Sequence, residues 1–575
     1  MRNRLLLLVT VLLLAMTAGP PPASAQTALQ LRWELTGDTS AAFTLTNRDT
    51  KPLPASGWAI YFSALHSADS GTVGSGFEIE DVIGDLHRIV PRTGFSGLAP
   101  GATIRISYRT DPLLNRSFVP GGPYIVFDTA KDVGVPLTDY VAAPFTRSQR
   151  VVTPAVQFTR DSVIRDIPAR ELPLVFPTPV QVSRGRGELY FRGMPQVSAP
   201  PELANEATLA AEYLRPPAAP PGRLPGSGSP RGATSAWMLR LEIGPVQGQS
   251  SPEAYELVID STTGIRIVGA SPAGVFYGLQ SLRGLVAVGA SSGGFGLPAL
   301  RVVDAPRFGY RGFMLDVARN FQPKASVLRT IDLLSRYKLN VFHMHLTDDE
   351  GWRIEIAGLP ELTRIGARRG HTLDSKQNLP PAWGSGGQAD QSWGSGFFSR
   401  ADYIEIVRYA AARHIEVIPE IEMPGHARAA VKAMAGNAQY RLTDPADRSV
   451  YRSVQGYPDN VMDPALESTY RFIDKVVADL VAMHREAGAP LKNIHMGGDE
   501  VPNGVWVGSP AVQALMQSKG LTSVDDLWYV LYGRVADILK NYGLVPSGWE
   551  EIAVRKTRLN GRPTTIVNPG FADRR

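Results

Sequence analysis

The sequence predicts a multidomain protein that ends in a (β/α)8 TIM-type barrel, preceded by an all-β sandwich domain and a small α+β domain. Three observations indicate this architecture. Strand-like and helix-like segments alternate from residue 304 onward, as they do in a parallel sheet covered by helices. Before residue 150 the segments are short, β-like and separated by turn residues, which is typical of a sandwich. Between the two parts, several strands precede a single helix.

These changes of pattern predict the domain boundaries. We expect a signal peptide at 1–25, a β-sandwich domain at 26–150, an α+β domain at 151–303, and the barrel at 304–575. The boundaries follow the shifts in hydrophobic period and the proline-rich entry to the second domain.

The first 25 residues have the features of a secretion signal. Arg2 and Arg4 precede an apolar run, and residues 23–25 read Ala-Ser-Ala, a small-x-small cleavage pattern. The apolar run is too short to span a bilayer, and no later run of about 18 apolar residues follows. We therefore expect an exported protein, periplasmic or extracellular, without a membrane span.

The composition excludes several classes of site and partner. The chain has no cysteine, which excludes thiol nucleophiles and zinc–thiolate sites. Its net charge of +5 falls to about +3 when Arg2 and Arg4 leave with the signal. Such a small charge on 575 residues indicates no nucleic-acid partner. We expect no cofactor and no bound metal; the oligomeric state stays open.

The first domain contains five clear strand-like segments, LQLRWEL, AAFTLTN, GWAIYFSAL, TIRISYRT and PYIVFD. Its aromatic residues Trp33, Trp58, Tyr61 and Phe62 either form a sugar-stacking face or pack in the core, and the usual burial of such residues favours the core. In the second domain, residues 215–233 are rich in proline, glycine and serine, and predict an exposed loop.

The barrel part shows six strand-like segments separated by amphipathic helices. The predicted strands are RGFMLDVA, NVFHMHLTDD, IEVIPEIEMPGH, NIHMGGDE, LVPSGWEE and TTIVN. The predicted helices occupy residues 323–339, 399–414 and 464–487, with two more between 509 and 542; Ser399 is a candidate N-cap. In such a barrel the C-terminal strand ends form the active site.

Five successive predicted strands end in polar, reactive side chains. Polar residues of solvent-exposed loops would be scattered over both ends of the strands. Their occurrence at five successive C-terminal strand ends therefore predicts a functional site. The residues, taken strand by strand, are Asp316 and Arg319, then Asp348 and Asp349, then Glu420, Glu422 and His426, then Asp499 and Glu500, and finally Trp549, Glu550 and Glu551.

The pair Asp499–Glu500 is the most informative of these features. Gly497 and Gly498 precede it and allow a tight turn at the strand end. Two adjacent carboxylates in a partly dry site do not both ionise freely, so one holds a proton and acts as an acid. Many carboxylates, one arginine and tryptophan side chains at a barrel mouth suit a sugar substrate, because carboxylates accept hydrogen bonds from hydroxyls and tryptophan faces stack on pyranose rings. Adjacent residues are badly placed to act as acid and nucleophile across one glycosidic bond. We therefore expect Glu500 to donate the proton and Asp499 to hold a nucleophile that belongs to the substrate.

Five stretches carry a resemblance to a known family: YRGFMLDVARNF, LNVFHMHLTDDEGWRIEI, HIEVIPEIEMPGHARAA, IHMGGDEV and SGWEEI. From residue 304 onward the chain resembles a family 20 glycoside hydrolase, a β-N-acetylhexosaminidase, and the whole chain resembles the bacterial chitobiase type. The latter resemblance implies that the β-sandwich domain at 26–150 is carbohydrate-binding-like. The resemblance implies hydrolysis of terminal N-acetylglucosamine or N-acetylgalactosamine from oligosaccharides. Family 20 is a substrate-assisted exception to the two-carboxylate scheme.

The resemblance also implies roles for single residues. Glu500 is the expected acid and base, and Asp499 is expected to orient the 2-acetamido group, whose oxygen attacks the anomeric carbon. Arg319 is similar to the arginine that grips sugar hydroxyls, and its planar fork suits a vicinal diol. Asp348 and His426 correspond to polar partners of the acid, and Trp549 to a wall of the acetamide pocket.

The chain departs from the family in two places. Glu422 stands where many members have aspartate. The sequence also stops at Arg575, after the sixth predicted strand, whereas members continue for two more βα units. We therefore expect a truncated barrel without the Tyr-x-Asp and Trp-x-Glu pairs of those units.

Two alternatives stay open. The first is a carbohydrate-binding protein that is catalytically impaired because the barrel is truncated. The second is a metal-dependent barrel hydrolase with His343, His345, Asp348 and His495 as ligands; core or supporting roles are favoured for the first two of these histidines. The natural substrate and the preference between the two hexosamines also stay open.

Overall fold

The computed structural model describes residues 28–65, 68–69, 76–112, 118–143, 154–168, 171–191, 194–214, 237–291, 294–390, 392–559 and 562–567. The predicted signal peptide and the predicted exposed loop at 215–233 lie outside the described residues. The chain divides into two compact units, one formed by residues 1–152 with 383–388 and the other by the remainder.

The first unit is a β-sandwich of two five-stranded sheets. One sheet has the order β10-β1-β2-β7-β4 and the other the order β5-β6-β3-β8-β9. The strands are β1 Leu29–Gly37, β2 Ser40–Asn47, β3 Trp58–Ser63, β4 Ala68–Asp69, β5 Phe77–Ile83, β6 Leu86–Pro91, β7 Thr103–Thr110, β8 Gly121–Phe127, β9 Val135–Pro136 and β10 Asp139–Ala142.

Aromatic and aliphatic side chains from both sheets form the core of this sandwich. Trp33 and Phe62 are at most 1% exposed, Trp58 is 3% exposed and Tyr61 is 7% exposed. Trp33, Trp58 and Phe62 pack between the two sheets, whereas Tyr61 packs in a small separate cluster with other buried residues. The interpretation of the four as packed aromatics is therefore confirmed. Because their ring faces are covered, they do not form a sugar-stacking surface.

The N-terminal part of the second unit is a mixed sheet carrying two main helices. Its strands have the order β11-β17-β14-β15-β13-β12, with β16 beside β17. Strands β14 and β15 pair antiparallel and form a hairpin across residues 261–263. The elements are α1 Pro154–Asp161, β11 Gln181–Phe191, β12 Gln196–Ser198, α2 Ala204–Tyr213, β13 Met238–Ile243, β14 Tyr255–Asp260, β15 Gly264–Gly269, α3 Pro272–Gly289, β16 Ala290–Ser291 and β17 Gly294–Asp304.

The C-terminal part alternates strands and helices, as predicted from the sequence. Its elements are β18 Gly312–Asp316, α4 Lys324–Arg336, β19 Val341–His345, β20 Thr347–Asp348, β21 Gly351–Trp352, α5 Glu361–Arg364, α6 Arg400–Ala411, β22 Glu416–Glu420, α7 Arg428–Met434, α8 Glu467–Glu486, β23 Asn493–His495, α9 Pro510–Lys519, α10 Leu527–Asn541, β24 Val545–Ser547, α11 Glu550–Ala553, β25 Val554–Leu559 and β26 Arg562–Val567.

Five of these strands form one parallel sheet in the order β18-β19-β22-β23-β24. Neighbours in the sheet follow one another in the chain, with helices between them, which is the arrangement of consecutive units in a (β/α)8 barrel. The helices pack their apolar stripes on this sheet, and the shared core includes Val327, Ile331, Tyr403, Ile406, Phe472, Val476, Leu531 and Val535. No helix in the described part of the chain has the length and apolar character needed to cross a membrane.

The prediction of a sixth barrel strand at TTIVN is wrong. Strand β26 contains this segment's first residues and pairs antiparallel with β25, in a separate two-stranded sheet. Residues 560 and 561, between the two strands, are asparagine and glycine, the dipeptide most typical of a two-residue hairpin. Antiparallel pairing with β25 leaves β26 outside the parallel sheet.

Helix α6 shows how the sequence fixes the start of an element. The Ser399 side chain accepts a hydrogen bond from the Asp402 backbone N–H, and the Asp402 carboxylate accepts one from the Ser399 backbone N–H. This capping box satisfies two otherwise unpaired groups of the first turn. The predicted N-cap is confirmed, and it fixes where α6 begins before the chain enters β22.

Candidate active site

The functional side chains predicted from the sequence follow the C-terminal ends of the five parallel strands. Because the strands are parallel, their C-terminal ends lie at one edge of the sheet. Strand β18 ends at Asp316, β19 at His345, β22 at Glu420, β23 at His495 and β24 at Ser547. The residues that follow these ends form a network of carboxylates, imidazoles and one guanidinium.

The turn after β23 presents the carboxylate pair. Gly497 and Gly498 have φ angles of 59° and 96°, which residues with a side chain rarely adopt. A Cβ atom at Gly497 would collide with the carboxyl group of Glu422. Glu500 itself has a φ angle of 51°, a strained conformation for a residue with a side chain. Its backbone N–H donates to the Glu551 carboxylate at 3.1 Å.

The two carboxylates of the pair differ in their electrostatic surroundings. Burial raises the pKa of Asp499, and the attraction of His426 opposes this rise only in part. The interaction with His426 lowers the pKa of Glu500, whose side chain is 43% exposed. The pKa shifts of the two groups therefore have opposite directions: the shift of Asp499 favours its protonated form, and the shift of Glu500 favours its ionised form.

His426 is the residue that connects the pair to the buried acids behind it. Its Nε2 atom lies 3.4 Å from Glu500 and 3.9 Å from Asp499, and its Nδ1 atom lies 3.3 Å from Asp348 and 3.6 Å from Asp349. Burial would lower the pKa of His426, but the surrounding carboxylates, above all Asp348, raise it far above the usual range. The imidazole is therefore charged at neutral pH, and it links the buried aspartates to Glu500.

Arg319 lies where β18 ends and contacts three carboxylates. Its Nη1 donates to Asp316 at 2.9 Å, its Nε donates to Glu350 at 3.2 Å, and its Nη2 lies 2.6 Å from Asp348. The side chain is 23% exposed, whereas those of Asp348 and Glu350 are at most 2% exposed. The Arg319 side chain is thus partly accessible, while two of the three acids that hold its guanidinium are buried.

Glu420 is the centre of a second buried cluster below the pair. Its carboxylate accepts a hydrogen bond from His345 Nδ1 at 2.6 Å, and it lies 2.9 Å from His343 Nε2 and 2.7 Å from His495 Nδ1. Burial would raise the pKa of Glu420, but the three imidazoles lower it far below the usual value. The carboxylate is therefore ionised and neutralised by imidazole nitrogens.

The supporting roles favoured for two of these histidines agree with the geometry. The four residues of the hypothetical metal set do not converge on one point among the described residues. His343 and His495 group with Glu420, whereas His345 and Asp348 group with Glu422. The ligand set named from the sequence therefore does not describe one site.

Trp549 follows β24 and packs against the histidines of this cluster. Its ring centre lies 4.9 Å from that of His495 and 6.2 Å from that of His343. Its backbone N–H donates to the Gly497 carbonyl at 2.9 Å. The ring is thus half-buried beside the turn that carries the carboxylate pair, which suits a wall of the pocket.

The sequence analysis missed Glu350 as a site residue. It directly follows Asp348 and Asp349 and is 3% exposed, and burial raises its pKa to about 7. The signal was a run of three acidic residues between a buried strand and a buried tryptophan. A solvated loop would not need apolar residues on both sides of such a run.

Three family models match successive parts of the chain. "Glycosyl hydrolase family 20, catalytic domain" matches residues 308–568, "Glycosyl hydrolase family 20, domain 2" matches 172–305, and "Putative carbohydrate binding domain" matches 24–148.

Two curated proteins are similar to this chain over most of its length. The chain is 34% identical over 537 residues to a beta-hexosaminidase of Vibrio vulnificus, with 86% of this chain and 60% of that protein covered. It is 38% identical over 485 residues to the N,N'-diacetylchitobiase of Vibrio harveyi, with 78% and 52% covered. The chain thus spans less than two thirds of the length of either relative.

The structural similarity extends over most of the chain. A GH20 exo beta-N-acetylglucosaminidase from Vibrio harveyi, solved in complex with N-acetylglucosamine, superposes with a TM-score of 0.72 at 29% sequence identity. The match covers 91% of this chain and 76% of that chain.

Proposed function

Because the chain belongs to family 20 of the glycoside hydrolases, we propose that it is a β-N-acetylhexosaminidase. Its substrates are oligosaccharides, chitobiose among them, with a terminal non-reducing N-acetylglucosamine or N-acetylgalactosamine. The fold proposed for the catalytic part is a (β/α)8 barrel, whose first five strands correspond to β18, β19, β22, β23 and β24. The protein is proposed to act after export, in the periplasm or outside the cell.

The observation that carries this proposal is the surroundings of the Asp499–Glu500 pair. Glu500 is accessible and lies 3.4 Å from the charged imidazole of His426, whereas Asp499 is more buried and has a raised pKa. One group is thus placed to exchange a proton with a ligand. The other is placed to accept a hydrogen bond in a drier environment, where such a bond is stronger.

In the first step, Glu500 gives its proton to the glycosidic oxygen as that oxygen leaves the anomeric carbon. The substrate's own acetamide oxygen forms the new bond to this carbon and produces a cyclic oxazolinium ion. Asp499 accepts the hydrogen bond of the acetamide N–H and stabilises the positive charge that develops there. A carboxylate with a raised pKa is the more basic acceptor and suits this task.

In the second step, Glu500 is ionised and takes a proton from water as the water oxygen attacks the anomeric carbon. The acetamide is restored, and the sugar leaves with its original configuration. His426 favours the ionised form of Glu500 and so supports this base step. The acid step requires the protonated fraction of Glu500, which falls as the pH rises.

The remaining predicted residues bind and orient the sugar in this proposal. Arg319 donates its outer N–H groups to sugar hydroxyls, since its inner ones are taken by carboxylates. Asp348 holds both Arg319 and His426. Trp549 forms a wall against the acetamide methyl group, supported by the histidine cluster below it.

A comparison of two substrates tests this function. The protein should release the aryl group from an aryl N-acetyl-β-glucosaminide and leave the matching aryl β-glucoside, which lacks the acetamide nucleophile, essentially intact. Equal rates on both would contradict substrate assistance. Binding of N-acetylglucosamine without turnover of either substrate would instead favour the alternative of a carbohydrate-binding protein. The β-rich first domain is the feature that supports this alternative.

A further inference from the structure

Glu350 is a buried carboxylate whose side-chain hydrogen bond, among the described residues, is made with Arg319. Its side chain is 2% exposed, and the described contact of its carboxylate is with Arg319 Nε, at 3.2 Å. Removing a carboxylate from water costs several kcal/mol unless a partner compensates. The protein buries Glu350 at this free-energy cost, and the contact that results holds Arg319 Nε. We therefore expect the position of this nitrogen to matter for function.

The donors of Arg319 can be counted. A guanidinium has five N–H groups, and Asp316, Asp348 and Glu350 take one each from Nη1, Nη2 and Nε. Although His345 lies 3.4 Å from Nη1, its pKa is raised by Asp348 and Glu420 against the effect of burial, so the charged ring does not accept. Among the described residues, two N–H groups, one on each terminal nitrogen, therefore have no acceptor and are available to a ligand.

Asp316 and Asp348 contact other groups besides Arg319, whereas the described side-chain hydrogen bond of Glu350 is with Arg319. Asp316 accepts from the backbone N–H groups of Ala318 and Arg319 at 2.9 and 3.1 Å. Asp348 also contacts His345 at 2.8 Å and His426 at 3.3 Å. Both would be needed even if Arg319 bound nothing.

We propose that Glu350 is a positioning residue that fixes the guanidinium plane of Arg319, and thereby aims its two free N–H groups at a pair of neighbouring hydroxyls on the terminal sugar. Held only at its two terminal nitrogens, the guanidinium tilts about the line that joins them. The bond to Nε prevents this tilt, so that Glu350 determines the affinity for the sugar. The sugar-binding part of this inference rests on the proposed function.

Charged groups from several segments face Glu350. Burial, Asp348 and Asp349 raise its pKa to about 7, and Arg319 and Arg369 oppose this rise. The guanidinium of Arg353 also reaches the Glu350 backbone carbonyl, at 3.5 Å. A carboxylate holds an N–H more strongly when it is ionised, so this contact is expected to strengthen as the pH rises through neutrality.

The test compares Glu350→Met with Glu350→Gln. Methionine keeps the length of the side chain without an acceptor, and glutamine keeps an acceptor without the charge. We expect Glu350→Met to raise KM for an aryl N-acetylglucosaminide about tenfold to a hundredfold, with a smaller change in kcat, because small misplacements of binding groups carry costs of this size. Glu350→Gln should restore most of the affinity, and its KM should vary less than the parent's between pH 6 and 8.

Glu206→Met is the matched control for loss of stability. Glu206 is 1% exposed and pairs with His414 at 2.7 Å, on the domain that precedes the barrel part. We expect this variant to be destabilised but to keep the parent KM. A rise in KM in both methionine variants would assign the effect to general destabilisation and overturn the proposal.

A crystal structure of Glu350→Met separates this inference from the proposed function. We expect the Arg319 guanidinium to be turned away from its parent orientation, whether or not the protein hydrolyses the aryl substrate. An unmoved Arg319, or a parent-like KM in an active Glu350→Met variant, would overturn the positioning role. A displaced Arg319 in a protein that neither binds nor cleaves the sugar would keep the positioning role and refute the function.

Discussion

Replacement of Glu420 by glutamine should destabilise the protein strongly. The carboxylate is fully buried, and its two oxygens lie within 2.9 Å of one nitrogen each on His343, His345 and His495. Glutamine would keep the length of the side chain but remove its negative charge and one of its two acceptor oxygens. It would also leave the imidazolium of His345 without one of its two carboxylate neighbours.

The contacts define the size of this effect. Removing one partner of a buried ion pair typically costs about 3–5 kcal/mol, because the remaining charge stays buried without compensation. Asp348 still neutralises part of the charge on His345, so we expect a loss near the lower value, about 3 kcal/mol at pH 7. Since the folded-state pKa of Glu420 is lowered, its contribution to stability is present above the unfolded pKa and is lost as the pH falls through the folded value.

Urea unfolding at pH 7, followed by circular dichroism, measures the free energy of unfolding of the parent and of Glu420→Gln. Glu206→Gln is the control, because Glu206 is equally buried but contacts one histidine; its loss should be clearly smaller. A loss below about 1 kcal/mol in Glu420→Gln, the size of a neutral hydrogen bond, would refute the ionised, three-histidine assignment.

Three further predictions concern the imidazoles and Asp499. In His426→Gln the pKa of Glu500 should rise, because the neighbouring positive charge is lost, and the alkaline limb of the kcat/KM profile should move to higher pH; an unmoved limb would contradict the contact. Asp499→Asn should lower kcat and weaken inhibition by a thiazoline analogue of the cyclic intermediate, and equal inhibition of parent and variant would remove Asp499 from its role. Burial lowers the pKa of His484 to about 4, below the unfolded value of about 6.5, so that the unfolded chain binds the extra proton and stability should fall as the pH decreases from 6.5 to 4. His484→Gln should reduce this slope in urea titrations, and an unchanged slope would contradict the assignment.

Much of the candidate site follows from the sequence, because the β/α alternation places every strand end at the same edge of the sheet. Arg319, His426 and Asp499 each stand a few residues after a recognisable apolar strand. Parallel pairing then brings together residues that are far apart in the chain. The prediction of the site residues therefore needed only the strand positions and not the distances between them.

The contacts within the site depend on strand register, which the sequence does not reveal. His345 stands opposite Glu420 on one neighbouring strand, and Glu420 stands opposite His495 on the next. A shift by one residue would turn these side chains to opposite faces of the sheet. The same dependence explains why the pKa shifts of the carboxylate pair have opposite directions, since His426, which comes from another strand's loop, lies closer to Glu500 than to Asp499.

The most direct test of the proposed mechanism is the leaving-group dependence of Glu500→Gln. Rates are measured for the parent and the variant on N-acetyl-β-glucosaminides with a poor, alkyl-like leaving group and with an activated aryl leaving group. General acid catalysis typically contributes about 10²–10⁴-fold. We expect a loss of this size on the poor leaving group and a much smaller loss on the activated one, which departs without a proton. Equal losses on both substrates would show that Glu500 is not the acid.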